Sequence, residues 1–289
     1  MTQLAPTKYG EQETSHTVQA NGMNVHYHDV GEGPPMLMLH STGVRPGTTA
    51  WLTFSKVLGA FAEHYRCIMM DLPNFGRTGP HVYNEPLHDM MAHTAVALMD
   101  SLGIDKFIAL GNSQGGQVCT DIELLHPGRV QAIVCGACHI STGGDAYLLR
   151  PFPSEVSMLN REAEADPQSR DKLRRLLDAL VYDPPLITAE IFEAMYEMRT
   201  NSPDYWAAIH ASPMVRKNND GAIARIDVPT LLIWGREDRF VTYEQGLAFL
   251  SNIRAAELVV LQRCGHWVPF ERPNEYASHV LRFLSLHDD

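Results

Sequence analysis

The chain has little cysteine, no long apolar run and a shortage of positive charge. Its five cysteines, Cys67, Cys119, Cys135, Cys138 and Cys264, are an odd set without the paired spacing of a secreted disulfide framework. Reduced thiols in a cytoplasmic protein are therefore expected. No stretch approaches the roughly 20 apolar residues that span a bilayer. Met1 to Ser15 is polar and lacks the apolar core of a signal peptide, so it reads as a short lead-in. Against 34 Asp and Glu there are only 23 Lys and Arg, which leaves a formal net charge of −11. That excess argues against nucleic acid or an anionic membrane as partner. It does not exclude a small anionic substrate, because charge inside a pocket can oppose the global sign.

What is present alternates. Met23 to Val30, Met36 to Leu39, Cys67 to Met70, Phe107 to Leu110, Ala132 to Cys135, Thr230 to Trp234 and Leu258 to Leu261 are short strand-like runs. Helical spacing fills the gaps at Trp51 to Glu63, Leu87 to Leu102, Gly116 to His126, Gln245 to Leu250 and Glu275 to Leu284. Apolar runs separated by helices predict an α/β fold around a mostly parallel sheet buried on both faces. Between Gly143 and Ala224 the strand-like runs stop. Charged, proline-punctuated helices replace them at Ser169 to Val181, Ala189 to Arg199 and Pro203 to Ala211. The expected organisation is a core of 1–142 and 225–289, with 143–224 inserted as a helical cap over the strands' carboxyl ends, where open α/β sheets bind ligands.

The chemistry is concentrated in Gly111-Asn112-Ser113-Gln114-Gly115, which follows a strand and leads into a helix. G-x-S-x-G at such a junction is the nucleophile elbow of an α/β-hydrolase. The tight turn lifts the Ser113 hydroxyl above the sheet. A base and an orienting acid follow in the order this fold uses: Asp238 in Trp234-Gly235-Arg236-Glu237-Asp238, then His266 in Cys264-Gly265-His266. The G-x-x-D spacing favours Asp238 over Glu237, and Asp145 is the fallback acid. An oxyanion hole needs two N–H donors. Gln114 should supply one, and Ser41 or Thr42, in the loop after His40, the other. Cys135-Gly-Ala-Cys138-His139 formally matches a haem-attachment or redox motif, but its place at a strand end identifies it as a sheet edge. His26, His28, His81 and His88 are scattered and read as exposed or core histidines, so neither metal nor organic cofactor is implied.

Three stretches together resemble one branch of this fold: Gly111 to Gly116, Trp234 to Phe240, and Cys264-Gly265-His266-Trp267. The branch is the meta-cleavage product hydrolases, which hydrolyse a carbon–carbon bond in 2-hydroxy-6-oxo-dienoates from aromatic degradation. The resemblance is closest from Ile226 onward and weaker in the cap. It implies a homo-oligomer, dimer or higher, and a site that binds a carboxylate and an enolate as well as an oxyanion. Asn112 would lie near that polar end, and Trp267 would pack beside the base.

The chain departs from the branch in two places. Met195 stands where the family has a cap-helix arginine, with Arg199 one helical turn on. Thr53 stands where the family has an asparagine after the first-loop tryptophan, here Trp51. The loop Ser41 to Ala50 is two residues longer and carries Arg45 near Gly43, which reads either as a replacement cation for the substrate's acid or as a solvated loop residue. The expected function is carbon–carbon hydrolysis. A carboxylesterase for aromatic or monoalkyl esters is the rival, because Met195 and Thr53 make the pocket less polar. A binding protein that kept its triad is the third reading.

Overall fold

The computed structural model describes residues 7–144 and 154–287. The strands are β1 (Ser15–Ala20), β2 (Met23–Val30), β3 (Pro35–Leu39), β4 (Arg66–Met70), β5 (Phe107–Asn112), β6 (Val130–Gly136), β7 (Thr230–Gly235) and β8 (Ala256–Leu261). They form one sheet in the order β1-β2-β4-β3-β5-β6-β7-β8. β3 through β8 pair in parallel, whereas β1–β2 and β2–β4 are antiparallel. The mostly parallel sheet expected from the apolar runs is what is found.

β1 begins where the segment read as a lead-in ends and was not among the expected strands, yet the sequence does carry its signal. Asn21 and Gly22, at φ 47° and 75°, close a two-residue hairpin that pairs Ala20 with Met23. Its exposed, polar residues hide the usual strand pattern.

The helices of the core are α1 (Ala50–Phe61), α2 (Leu87–Ser101) and α3 (Gln114–Leu125), followed later by α8 (Glu244–Asn252), α9 (Val268–Glu271) and α10 (Pro273–Ser285). The period of two in β3 divides its side chains between the layers. Leu37 and Leu39 join the core under α2 and α3, with Met90, Met91, Val118 and Ile122. Met36 and Met38 join the core under α1 and α10, with Phe54, Phe61, Val280 and Phe283. Each such side chain, fully buried, contributes about 1.5–3 kcal/mol of hydrophobic stabilisation.

Between β6 and β7 the described residues are helical: α4 (Glu155–Ala165), α5 (Arg170–Leu180), α6 (Ala189–Thr200) and α7 (Pro203–Ala211), with a 3-10 turn at Pro184–Leu186. Ser154, Ser169 and Thr188 cap α4, α5 and α6 by accepting from the third residue onward. Leu173, Leu176, Leu177, Phe192 and Met195 form a third apolar cluster that also takes in Val44, Trp267 and Phe270 of the core. The two ends of this segment meet: Thr142 bridges to Lys217, and the Asn219 amide donates to Ser141 Oγ at 3.1 Å.

Candidate active site

The site lies where β3, β5, β7 and β8 end. Its centre is the elbow at Ser113, held at φ 56° and ψ −121°, a conformation a serine adopts only when its surroundings impose it. The neighbouring glycines show why. A Cβ on Gly111 would come within 2.3 Å of the Gly115 backbone, and one on Gly115 within 2.0 Å of the Leu39 carbonyl. Side chains at either position would push α3 off the strands.

Ser113 Oγ is 2.8 Å from His266 Nε2, and His266 Nδ1 is 2.8 Å from Asp238 Oδ2. Asp238 Oδ1 accepts from the amides of Phe240 and Val241, which fixes the carboxylate's rotation. All three side chains are buried. Glu237, the rejected acid, faces the other way and accepts from the Cys264 amide. Asp145 lies outside the described residues.

Gln114 begins α3, and Gly115 donates to the His40 carbonyl at 3.1 Å, which brings the loop after β3 against the elbow. Gln114, Thr42, Gly43 and Arg45 line a cavity of about 440 Å³ that contains Ser113. Ser41 does not line it. Its hydroxyl accepts from Trp267 Nε1 at 2.9 Å and its carbonyl bonds His40 Nδ1 at 2.7 Å.

Five further residues expected at the substrate lie outside the lining of this cavity. Asn112 donates to the His266 carbonyl at 3.1 Å, tying β5 to the histidine loop instead of facing the cavity. Trp267 lies against Gly43, where a Cβ would come within 2.3 Å of its ring, and packs into the helical segment's cluster. Thr53 Oγ1 turns back on its own helix to donate to the Thr49 carbonyl, as a hydroxyl in a helix readily does. Met195 is buried with its backbone against Gly47, so packing consumes the face that alignment assigns to substrate. Arg199 is buried as well. It donates to the carbonyls of Arg45, at 2.6 Å, and Ala163, at 2.5 Å, and stacks over Trp206. Burial lowers its pKa to about 10. Arg199 is a clasp between segment and core and does not line the cavity.

The cavity contains a residue the sequence reading passed over. His88, at the start of α2, bonds Thr142 Oγ1 through Nδ1 at 2.7 Å and faces Gln114 Nε2 at 3.4 Å through Nε2. Burial, aided by the charges of Arg45, His139 and Lys217, lowers its pKa to about 3, so the ring is neutral. No sequence signal marks His88 as a site residue, because its partners, Thr142 and Gln114, lie far from it in the chain. Glu271 was also missed. Its carboxylate accepts from the amides of Tyr182, Gly265 and Trp267 at 2.7, 2.9 and 3.0 Å, bracing the His266 loop from both sides. Burial raises its pKa, and these three donors oppose the rise.

A serine hydroxyl, an imidazole and a carboxylate joined in series at a strand-to-helix elbow define a serine-type hydrolase. The chain belongs to the alpha/beta hydrolase fold family, whose family profile matches residues 34–273. It is 32% identical over 268 residues, 91% of each chain, to a 2-hydroxy-6-oxononadienedioate/2-hydroxy-6-oxononatrienedioate hydrolase of Burkholderia vietnamiensis. A 2-hydroxy-6-oxo-6-phenylhexa-2,4-dienoate hydrolase of Burkholderia cepacia is 30% identical over 291 residues, 99% of each chain. Among solved structures, a meta-cleavage product hydrolase from Pseudomonas fluorescens superimposes with a TM-score of 0.81 at 27% identity, covering 96% of this chain and 100% of that one. The resemblance read from the elbow, the acid turn and the histidine loop is borne out.

Proposed function

We propose that this hydrolase cleaves the carbon–carbon bond beside the 6-oxo group of a 2-hydroxy-6-oxo-dienoate. The observation that carries the reading is an assembled Ser113–His266–Asp238 chain opening on a polar cavity, in a protein that matches dienoate hydrolases along almost its whole length. The esterase alternative rested on a pocket made apolar by Met195 and Thr53. Neither residue lines the cavity, and Arg45, His88, Gln114, Gln117 and Thr142 do.

In the proposed course the substrate first ketonises. Ser113 Oγ then adds to the 6-oxo carbon as His266 Nε2 takes its proton, and Asp238 holds the imidazolium in place. Thr42 and Gln114 present their amides to the oxyanion. As the tetrahedral adduct collapses, the carbon–carbon bond breaks. Its electron pair passes to the dienol(ate) fragment, which leaves with the proton from His266. Water, deprotonated by His266, hydrolyses the remaining acyl-serine to a carboxylate. Residues 143–224 act as a cap, because α4 supplies Ser157, Asn160, Arg161 and Glu164 to the same cavity. Small organic acids are the expected ligands, and a homo-oligomer is the expected assembly.

The test is the ratio of kcat/KM for a 2-hydroxy-6-oxo-dienoate to that for a short aryl ester. The proposal expects a ratio well above one. Ester turnover without detectable dienoate cleavage would return the chain to the esterases.

A further inference from the structure

The relatives act on acids, yet the residue expected to meet that acid is Met195, and Arg199 is committed to backbone carbonyls. Two guanidinium groups remain on the cavity, Arg45 from the loop after β3 and Arg161 from α4. They differ in how they are held. Arg161 is exposed, with Glu164 one turn further along the same helix and on the same cavity wall. Arg45 is half-buried and its backbone is anchored on both sides: its carbonyl accepts from Arg199, and the Pro46 carbonyl accepts from the Gly76 amide at 3.0 Å. Its guanidinium lies 5.7 Å from the Phe75 ring centroid and meets no carboxylate among the described residues. An anchored cation on the nucleophile's cavity, with no carboxylate partner among the described residues, is suited to an anion.

Beside it lies His88. Gln114 turns its Nε2–H toward His88 Nε2, so that nitrogen carries the lone pair and the ring proton sits on Nδ1, donated to Thr142 Oγ1. Gln117 also donates to Thr142 Oγ1, at 3.3 Å, so this hydroxyl serves as acceptor to both. The contact from Gln114 is long, at 3.4 Å. His88 Nε2 is thus a neutral acceptor open to a stronger donor.

We propose that the core, and not the helical cap, reads the substrate's 2-hydroxy acid head: Arg45 binds the carboxylate, and His88 Nε2 accepts from the adjacent hydroxyl. Both are binding residues that position the chain for Ser113. The assignment rests on the dienoate reading but can be tested apart from it. Competitive inhibition of aryl-ester turnover is measured with three probes: a short 2-hydroxyalkanoate, its methyl ester, and the alkanoate without the hydroxyl. Wild type is expected to favour the hydroxy acid over both others. Arg45→Gln should raise the acid's inhibition constant about 10- to 100-fold, the range for a lost charge-assisted hydrogen bond, and the ester's by less than about threefold. Arg45→Lys should recover part of the loss, which controls for misfolding. His88→Phe should erase the preference for the 2-hydroxyl while keeping the preference for acid over ester. Equal weakening of acid and ester in Arg45→Gln would overturn the proposal, as would an Arg161→Gln variant showing the effect expected of Arg45→Gln. Inhibition in the expected pattern without dienoate cleavage would retire the carbon–carbon reading and leave the acid site standing. Cleavage without any preference for acid over ester would do the reverse.

Discussion

At the scale of single residues, this site is governed by what holds His266 in place. The imidazole must point Nε2 at Ser113 and Nδ1 at Asp238, and the loop carrying it has close neighbours on every side. A Cβ on Gly265 would lie 2.6 Å from the Leu180 carbonyl, and the His266 amide donates to that same carbonyl at 2.8 Å. Glu271 then collects the amides on either side of His266. Glu271→Gln replaces one acceptor oxygen with a donor and leaves at least one buried amide unsatisfied, at a cost of about 1–3 kcal/mol. Because the loop shifts while the cavity wall does not, kcat should fall about 10- to 100-fold with KM within about threefold. Steady-state kinetics check this directly. A purely structural role would instead lower Tm and leave the kcat of the folded fraction intact.

At the scale of elements, legibility followed locality. Each core strand and helix read from periodicity exists, because burial on both faces writes a continuous apolar run into the sequence. Ser113, Asp238 and His266 were legible for a related reason: each sits in a short motif fixed by its own turn. Strand β1 was missed although Asn21-Gly22 announces a hairpin, since an edge strand with polar, exposed residues has no buried face to declare it. Substrate contacts were the least legible. The resemblance brought Met195 to a family position, with Arg199 one helical turn on, but α6 packs that face on Gly47 and on the Arg45 carbonyl. His88 looked like a stray histidine because Thr142 and Gln114, which make it informative, belong to other elements.

Strand β2 carries its own prediction. His28 is buried, its Nδ1 meets Thr14 Oγ1 at 3.0 Å, and its Nε2 has no partner among the described residues. Burial first, and the neighbouring His26 next, lower its pKa from 6.5 to about 4. Between those values the unfolded chain binds a proton there that the native chain refuses. Stability associated with His28 is therefore full above the higher value and is lost as pH falls toward the lower one. Urea midpoints measured from pH 7 to pH 4 should decline less steeply in His28→Leu than in wild type. Parallel acid limbs would mean that the ring does not titrate in this window.

At the scale of the whole molecule, the cap and core are joined through the catalytic machinery itself. Arg199 spans from the helical segment to the first loop, and Glu271 of α9 accepts from the Tyr182 amide beyond α5. None of the helices among the described residues is long and apolar enough to cross a membrane. The strong global negative charge coexists with arginines on the cavity wall, Arg45 and Arg161, so the local charge there opposes the global sign.

The most direct test of the central claim is product analysis with a 6-phenyl-2-hydroxy-6-oxo-dienoate, comparing wild type with Ser113→Ala. Stoichiometric benzoate and 2-hydroxydienoate are expected from wild type, and a rate at least about a thousandfold lower from the variant. Recovery of intact dienoate from a wild-type preparation that still hydrolyses aryl esters would contradict the claim.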